Sequence, residues 1–151
     1  MKIKQTILKI STNNNLQFID LTNEIELFLK KSKIMIGQLL VYSKHTTLAI
    51  RINEKETGIF NDMEKFLNKL LPKNQYYRHN DLEIRTENLV CSSETEECLN
   101  GHSHCRHFLL STSETVPISE GSMALGTWQK VMAVELDGPR KREIILQAIG
   151  E

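Results

Sequence analysis

The sequence is short of most features that announce a function outright. It has no surplus of charge: lysine plus arginine and aspartate plus glutamate stand at 19 each in 151 residues. That balance argues against a whole-surface nucleic-acid binder and leaves room only for a local basic patch. No apolar run approaches the ~18 residues of a membrane-spanning helix. The basic start MKIKQTILKI has only a short, interrupted apolar stretch and no small-residue cleavage site, so no signal peptide is expected. Cysteine is scarce and odd in number, at three, which fits reduced thiols in a cytoplasm rather than a secreted disulfide framework. There are seven glycines and no GxxxxGK[ST] or GxGxxG pattern. A phosphorylated ligand would therefore have its charge met by side chains or a metal, not by a glycine-rich loop.

What is present reads as one domain over residues 1–151, long enough to bury a core without covalent staples. Residues 3–10 are rich in β-branched side chains and predict a strand, with a turn at STNNN. Residues 20–32 predict an amphipathic helix with Leu21, Ile25, Phe28 and Leu29 on one face. Residues 37–42 and 47–52 predict a pair of strands around SKH. Residues 57–71 predict a second helix, striped by Ile59, Met63, Phe66, Leu67 and Leu70 and stopped by Pro72. A long polar loop covers 73–100, and a short helix is expected over 102–110. Strands at 115–118, 125–136 and 143–149 follow, the last two joined by a hairpin turn in DGPRKR. Helices and strands mix, and the last third is strand-dominated with short links. The fold class is therefore α+β with largely antiparallel sheets and two to three helices.

Chemistry concentrates in imidazole. Three of the five histidines, His102, His104 and His107, fall in NGHSHCRHFL at 100–109, while His45 opens HTT and His79 lies in YRHND. Neutral imidazole ligates zinc and similar ions, and three protein ligands leave one position open. His102 and His104 face one way only in an extended segment, His104 and His107 only in a helix. The three are thus not one local clip. Cys91, Cys98 and Cys105 lack the tight pairing of a structural zinc site, although a Cys–His knot with His102, or a Cys105 nucleophile, stays open. Arg85, Arg106, Arg140 and Arg142 are candidate phosphate forks, with Arg142 expected as solvated surface. Glu54, Asp62 and Asp81 are candidate bases or supports for a ligating histidine, with Asp62 expected to be simply solvated. Trp128, the sole tryptophan, suits core or interface, or stacking on a ring.

Taken in order, HTT at 45–47, NE at 53–54, HND at 79–81, RTEN at 85–88, NGHSHCR at 100–106, SETVPI at 113–118, LGTWQ at 125–129 and ELDGPRKR at 135–142 resemble the YjbQ family. The resemblance implies a compact α+β fold with packed sheets and a homotrimer, whose neighbours could cover sheet faces left open in one chain. It also implies a thiamine-phosphate synthase activity that joins hydroxymethylpyrimidine diphosphate to thiazole phosphate and releases pyrophosphate. Carried over residue by residue, it implies His45, His79 and His104 as ligands of a divalent ion, zinc among the options. Asp81 or Glu54 would orient a ligand or water. Asn100, Arg106, Trp128, Gln129 and Arg140 would line a pocket for a small phosphorylated substrate. His102 matches a variable position. A metal-dependent hydrolase and a non-enzymatic trimeric binding protein are the alternatives. No nucleic-acid or membrane partner is expected, and the setting is expected to be cytoplasmic.

Overall fold

In a computed structural model, described over residues 1–89 and 99–151, antiparallel strand pairing dominates. Cys91 and Cys98 lie outside the described residues, so the Cys–His knot has no structural description. Strands β1 (Lys2–Ser11), β8 (Lys141–Gly150), β3 (Gly37–Ser43), β5 (Ser113–Ser119) and β6 (Ser122–Met123) form one sheet in that order. Strands β2 (Gln17–Asp20), β7 (Gln129–Glu135) and β4 (Leu48–Glu54) form a second. Helices α1 (Thr22–Ser32), α2 (Thr57–Leu70) and α3 (Gly101–Leu110) complete the regular structure, with a 3₁₀ turn at Arg78–Asn80. The α+β class with antiparallel sheets is as the sequence predicts.

Alternation of side chains places one face of each sheet against the other. Leu39, Val41, Val116, Ile144, Leu146 and Ala148 from the larger sheet meet Leu48, Ile50, Val131 and Ala133 from the smaller. Helix α1 closes that core with Ile25 and Leu29, together with Leu21 at its N-cap. The far face of the small sheet, with Ala49 and Val134, is covered by Leu67 of α2 and Leu110 of α3. The predicted stripe of α2 is only partly used, since Phe66 and Leu70 stay about half exposed and Leu67 alone is fully buried.

The hairpin predicted at DGPRKR is not a hairpin, and neither is the strand pair around SKH. Strands β3 and β4 flank SKHTT as expected, but they enter different sheets, and so do β7 and β8 around DGPR. Both segments are corners where the chain crosses between sheets. Strand periodicity cannot reveal this, because a strand looks the same whichever sheet receives it. The strand predicted over 125–136 begins only at Gln129, and the short strands β2 and β6 were not predicted.

The corners are tied together by a buried ion pair. Arg142, expected as solvated surface, is 4% exposed. Its guanidinium donates to both carboxylate oxygens of Glu135, the Nε–Oε2 contact being 2.7 Å, and its Nη2 reaches Thr47 Oγ1 at 2.9 Å. Glu135, fully buried, also accepts from Thr12 Oγ1 at 2.8 Å and from the backbone N–H groups of Leu136 and Asp137. Every lone pair that burial strips of water has a donor, which is what makes a buried carboxylate tolerable. Replacing one partner strands the other charge. Arg142→Ala is expected to lower unfolding free energy by about 3–5 kcal/mol, measured by denaturant titration. Adding Glu135→Leu to it should restore part of the loss.

Candidate functional site

The two corners and the start of α3 meet around a cavity of about 300 Å³ lined by Lys44, His45, Thr46, Thr47, Asn100, His104, Asp137, Arg140 and Arg142. Each contributor is placed by a nameable local cause. Ser43 Oγ accepts from the His45 backbone N–H at 3.2 Å, which shapes the corner. Glu135 holds the backbone N–H of Asp137 at 3.0 Å, and Asp137 Oδ2 then accepts from Asn100 Nδ2 at 2.8 Å and from Arg140 Nε and Nη2 at 3.0 and 2.7 Å. Helix α3 starts at Gly101, whose N–H donates to Asn80 Oδ1 at 2.9 Å. A Cβ at Gly101 would lie 2.7 Å from Tyr77 Cβ, so only glycine permits this approach of helix and 3₁₀ turn. The approach brings His79 against His104, ring centroids 4.7 Å apart.

His104 lies on α3, half-buried. Its pKa is lowered first by burial and next by the charge of His79, which leaves a neutral imidazole at neutral pH. His45 is lowered as well, first by burial and next by Arg142. Its Nε2 accepts from the backbone N–H of Glu143 at 2.8 Å. A neutral imidazole accepting at Nε2 carries its proton on Nδ1, so His45 offers a donor and no free lone pair.

This bears directly on the expected metal. Two facing imidazoles, His79 and His104, supply half of a tetrahedral donor set. His45 has no lone pair left to join them, and among the described residues no group of three or more His, Cys, Asp or Glu side chains is placed to hold a metal ion. The expected three-histidine ion site, with zinc or another divalent ion, is therefore not formed by the described residues of one chain.

Other expected site residues separate. Asn100 and Arg140 line the cavity as expected, although Arg140 is engaged with Asp137. Arg106 does not: it is 1% exposed, and its Nε and Nη2 reach the Leu71 carbonyl at the end of α2 at 3.2 and 2.7 Å, with Nη2 also on Asn68 Oδ1. It is a helix-end anchor, not a phosphate fork. Glu54 pairs with Gln129 at the far end of the small sheet, roughly 20 Å along β4 from the His45 corner. Trp128 is exposed next to them, so it is not core within one chain. Asp81 serves its own loop, accepting from Tyr76 Oη at 3.0 Å and the Glu83 N–H at 3.2 Å. Arg85 likewise donates to the carbonyls of His79 and Asn88. Asp62 is exposed, as expected. Asp137 and Lys44 were missed. The ELDGPRKR run held the signal for Asp137, because a carboxylate three residues before an arginine in a turn is placed to pair with it.

His102 has a different role. It is 1% exposed, and its Nε2 lies 3.2 Å from Ser103 Oγ, whose own proton goes to the Leu136 carbonyl at 2.5 Å. Nε2 must then donate, and Nδ1 is left as a buried lone pair with no partner among the described residues. Burial first, then the Arg106 charge, pushes its pKa down to about 4 from 6.5. The unfolded chain takes up this proton near pH 6.5 and the folded chain only near 4. Stability is thus full above the unfolded value and falls as pH drops through that window, by up to about 3 kcal/mol. His45, His104 and His107 act in the same direction. Unfolding free energy measured from pH 7 to 4 should fall, and His102→Gln should visibly flatten that slope.

A family model described as "UPF0047 protein YjbQ-like" matches residues 6–151. A UPF0047 protein of Methanothermobacter thermautotrophicus is 36% identical over 151 residues, covering 100% of this chain and 95% of the relative. The UPF0047 protein YugU of Bacillus subtilis is 31% identical over 95% of this chain and 97% of its own. Among solved structures, a YbjQ-like protein of unknown function from Sulfolobus solfataricus superposes with a TM-score of 0.86 at 29% identity, covering 99% of both chains. An uncharacterized conserved protein of the YjbQ/UPF0047 family from Clostridium acetobutylicum gives 0.81 at 30% identity, over 95% and 99%. None of these relatives is described as a thiamine-phosphate synthase; they are uncharacterised or of unknown function. The expected joining of a pyrimidine diphosphate to a thiazole phosphate is overturned by that finding.

Proposed function

The chain belongs to the YjbQ-like UPF0047 family, and from that premise we propose that it binds a small anionic molecule in the cavity at the two sheet corners. The supporting observation is the convergence of His45, His104, Asp137 and Arg140 from three separate segments on one cavity of about 300 Å³. The groups are complementary in kind. Arg140 and Lys44 supply positive charge, and His45 Nδ1–H supplies a neutral donor. His104, kept neutral by burial, is a proton acceptor at neutral pH. Asn100 Oδ1 has no donor among the described residues, which suits a ligand or water that carries one.

The open face of the larger sheet supports self-association as part of the same reading. Ile3, Ile7, Tyr42 and Ile149 are substantially exposed there, among uncharged Gln5, Gln38 and Gln147. An apolar patch without charges at its centre is the composition of a subunit interface. We assign it to copies of this chain, in the homotrimer that the family resemblance implies. A cytoplasmic setting also belongs to this proposal. It is supported by the free thiol of exposed Cys105, and no helix among the described residues is long and apolar enough to cross a membrane.

The ligand reading is tested by thermal shift with a panel of phosphorylated and carboxylated small molecules. A ligand present at ~100 times its Kd stabilises the fold by about 2.7 kcal/mol. That increment should vanish in both His104→Gln and Arg140→Gln. A ligand that stabilises both variants as much as the parent binds elsewhere and sinks the assignment.

A further inference from the structure

His45 lines a second cavity besides the one just described. It measures about 400 Å³ and is bounded by Lys9, Ile10 and Ser11 of β1, by Lys44 and His45 at the corner, and by Lys141, Arg142 and Glu143 of β8. The two cavities share Lys44, His45 and Arg142. They therefore adjoin at one imidazole.

The charges around this pair of cavities are uneven. Arg142 is neutralised from behind by Glu135. Of the rest, Arg140 is engaged with Asp137, while Lys9, Lys44 and Lys141 face one carboxylate among the described lining residues, Glu143, which leaves two positive charges in excess there. A chain with 19 cations and 19 carboxylates has concentrated part of its positive charge at one place. Within the second cavity three ammonium groups surround a single carboxylate. Glu143 bonds Lys44 at 2.6 Å and stands 3.8 Å from Lys9, which fixes both lysines at the rim. Neither contact involves Lys141. The Glu143 backbone N–H fills His45 Nε2, so the imidazole turns a proton, not a lone pair, toward its surroundings. Ammonium groups with a neutral N–H donor complement a doubly charged oxyanion, and they offer a cation only Glu143.

We propose that the cavity bounded by Lys9, Lys44, His45, Lys141 and Glu143 is an anion subsite that takes the phosphate of a small phosphate monoester, whose remainder lies in the adjoining His104 cavity. This rests on the ligand-binding reading above and specifies it. The His104 side handles the body of the ligand, and the lysine side handles its charge. His45 sits at the junction, where it can hydrogen-bond a phosphate oxygen without changing its protonation.

The test uses the full-length protein and two probes, inorganic phosphate and glycerol phosphate, with glycerol as control, followed by calorimetry and by the imidazole signals in ¹⁵N NMR. Both phosphates should bind and glycerol should not. Binding should weaken steeply when ionic strength rises from ~0.05 to ~0.5 M, where the screening length shrinks below ~5 Å. Lys9→Gln and Lys141→Gln should each weaken both phosphates several-fold, and together they should abolish binding. These exposed positions leave folding intact, which the unfolding midpoint checks. His45 should retain its Nδ1–H form while its proton signal moves on phosphate addition. His104→Gln should leave inorganic phosphate binding unchanged and remove only the extra affinity of the ester. Phosphate binding that ignores both lysines but fails in His104→Gln would overturn the subsite and keep the first cavity. Equal affinity for both phosphates, with His104→Gln silent, would instead keep the subsite and overturn the reading of the first cavity. Lysine-dependent binding of a duplex oligonucleotide with no binding of either small phosphate would also overturn the proposal.

Discussion

The buried pair of Glu135 and Arg142 is the constraint on which the rest of this molecule depends. Glu135 ends a strand of the small sheet and Arg142 begins a strand of the large one. Their contact fixes how the two sheets meet at one end. The same carboxylate gathers Thr12 from the end of β1 and the amides that lead to Asp137, and the same guanidinium gathers Thr47 from the other corner. Apolar packing between the sheets is larger in energy but directionless, and it would tolerate some sliding. A fully bonded carboxylate and guanidinium does not, because each displaced contact leaves a charged group bare in a dry interior.

The candidate site inherits its geometry from that constraint. The chain crosses between sheets at SKHTT and at DGPR, and both crossings are anchored on the pair. Residues nearly a hundred apart, His45 and Glu143, come within a hydrogen bond. Helix α3 adds His104 and Asn100 because Gly101 lets it approach the 3₁₀ turn that carries His79. The resulting surface is a cavity with polar groups on fixed supports and a local excess of positive charge. Burial keeps the His45 and His104 imidazoles neutral, so they can accept or donate hydrogen bonds without adding to that charge.

Much of the fold was legible in the chain. The α1 stripe of Leu21, Ile25 and Leu29 has the spacing of a helix face, and all three residues are buried. The alternation over 141–150 marks β8 with one face inward. The site was legible only in part. His45, Asn100, His104 and Arg140 do meet. Arg106 and Arg142 misled, because a guanidinium is as able to close a helix end or a buried pair as to bind a ligand, and its sequence neighbours do not say which. Glu54, Trp128 and Gln129 misled in another way. They stand at or just before the far ends of the strands that lead to the corner residues, a distance set by strand rise and direction.

By itself the sequence determined the elements, the antiparallel α+β class and the family, because these follow from periodicity and from an ordered set of short motifs. It also showed a chain dense in imidazole between residues 102 and 107, with no glycine-rich phosphate loop and no tightly spaced cysteine pair. Only the tertiary structure decided that β3–β4 and β7–β8 are crossings rather than hairpins. It alone decided that His45 is filled at Nε2 and so unable to join His79 and His104 around an ion. It decided too that the lysines of β1, β3–β4 and β8 stand around one cavity. The physical reason is common to all three. Which sheet a strand enters, which nitrogen of a ring is occupied and which charges share a surface are set by contacts between residues far apart in the chain, and local spacing carries no record of them.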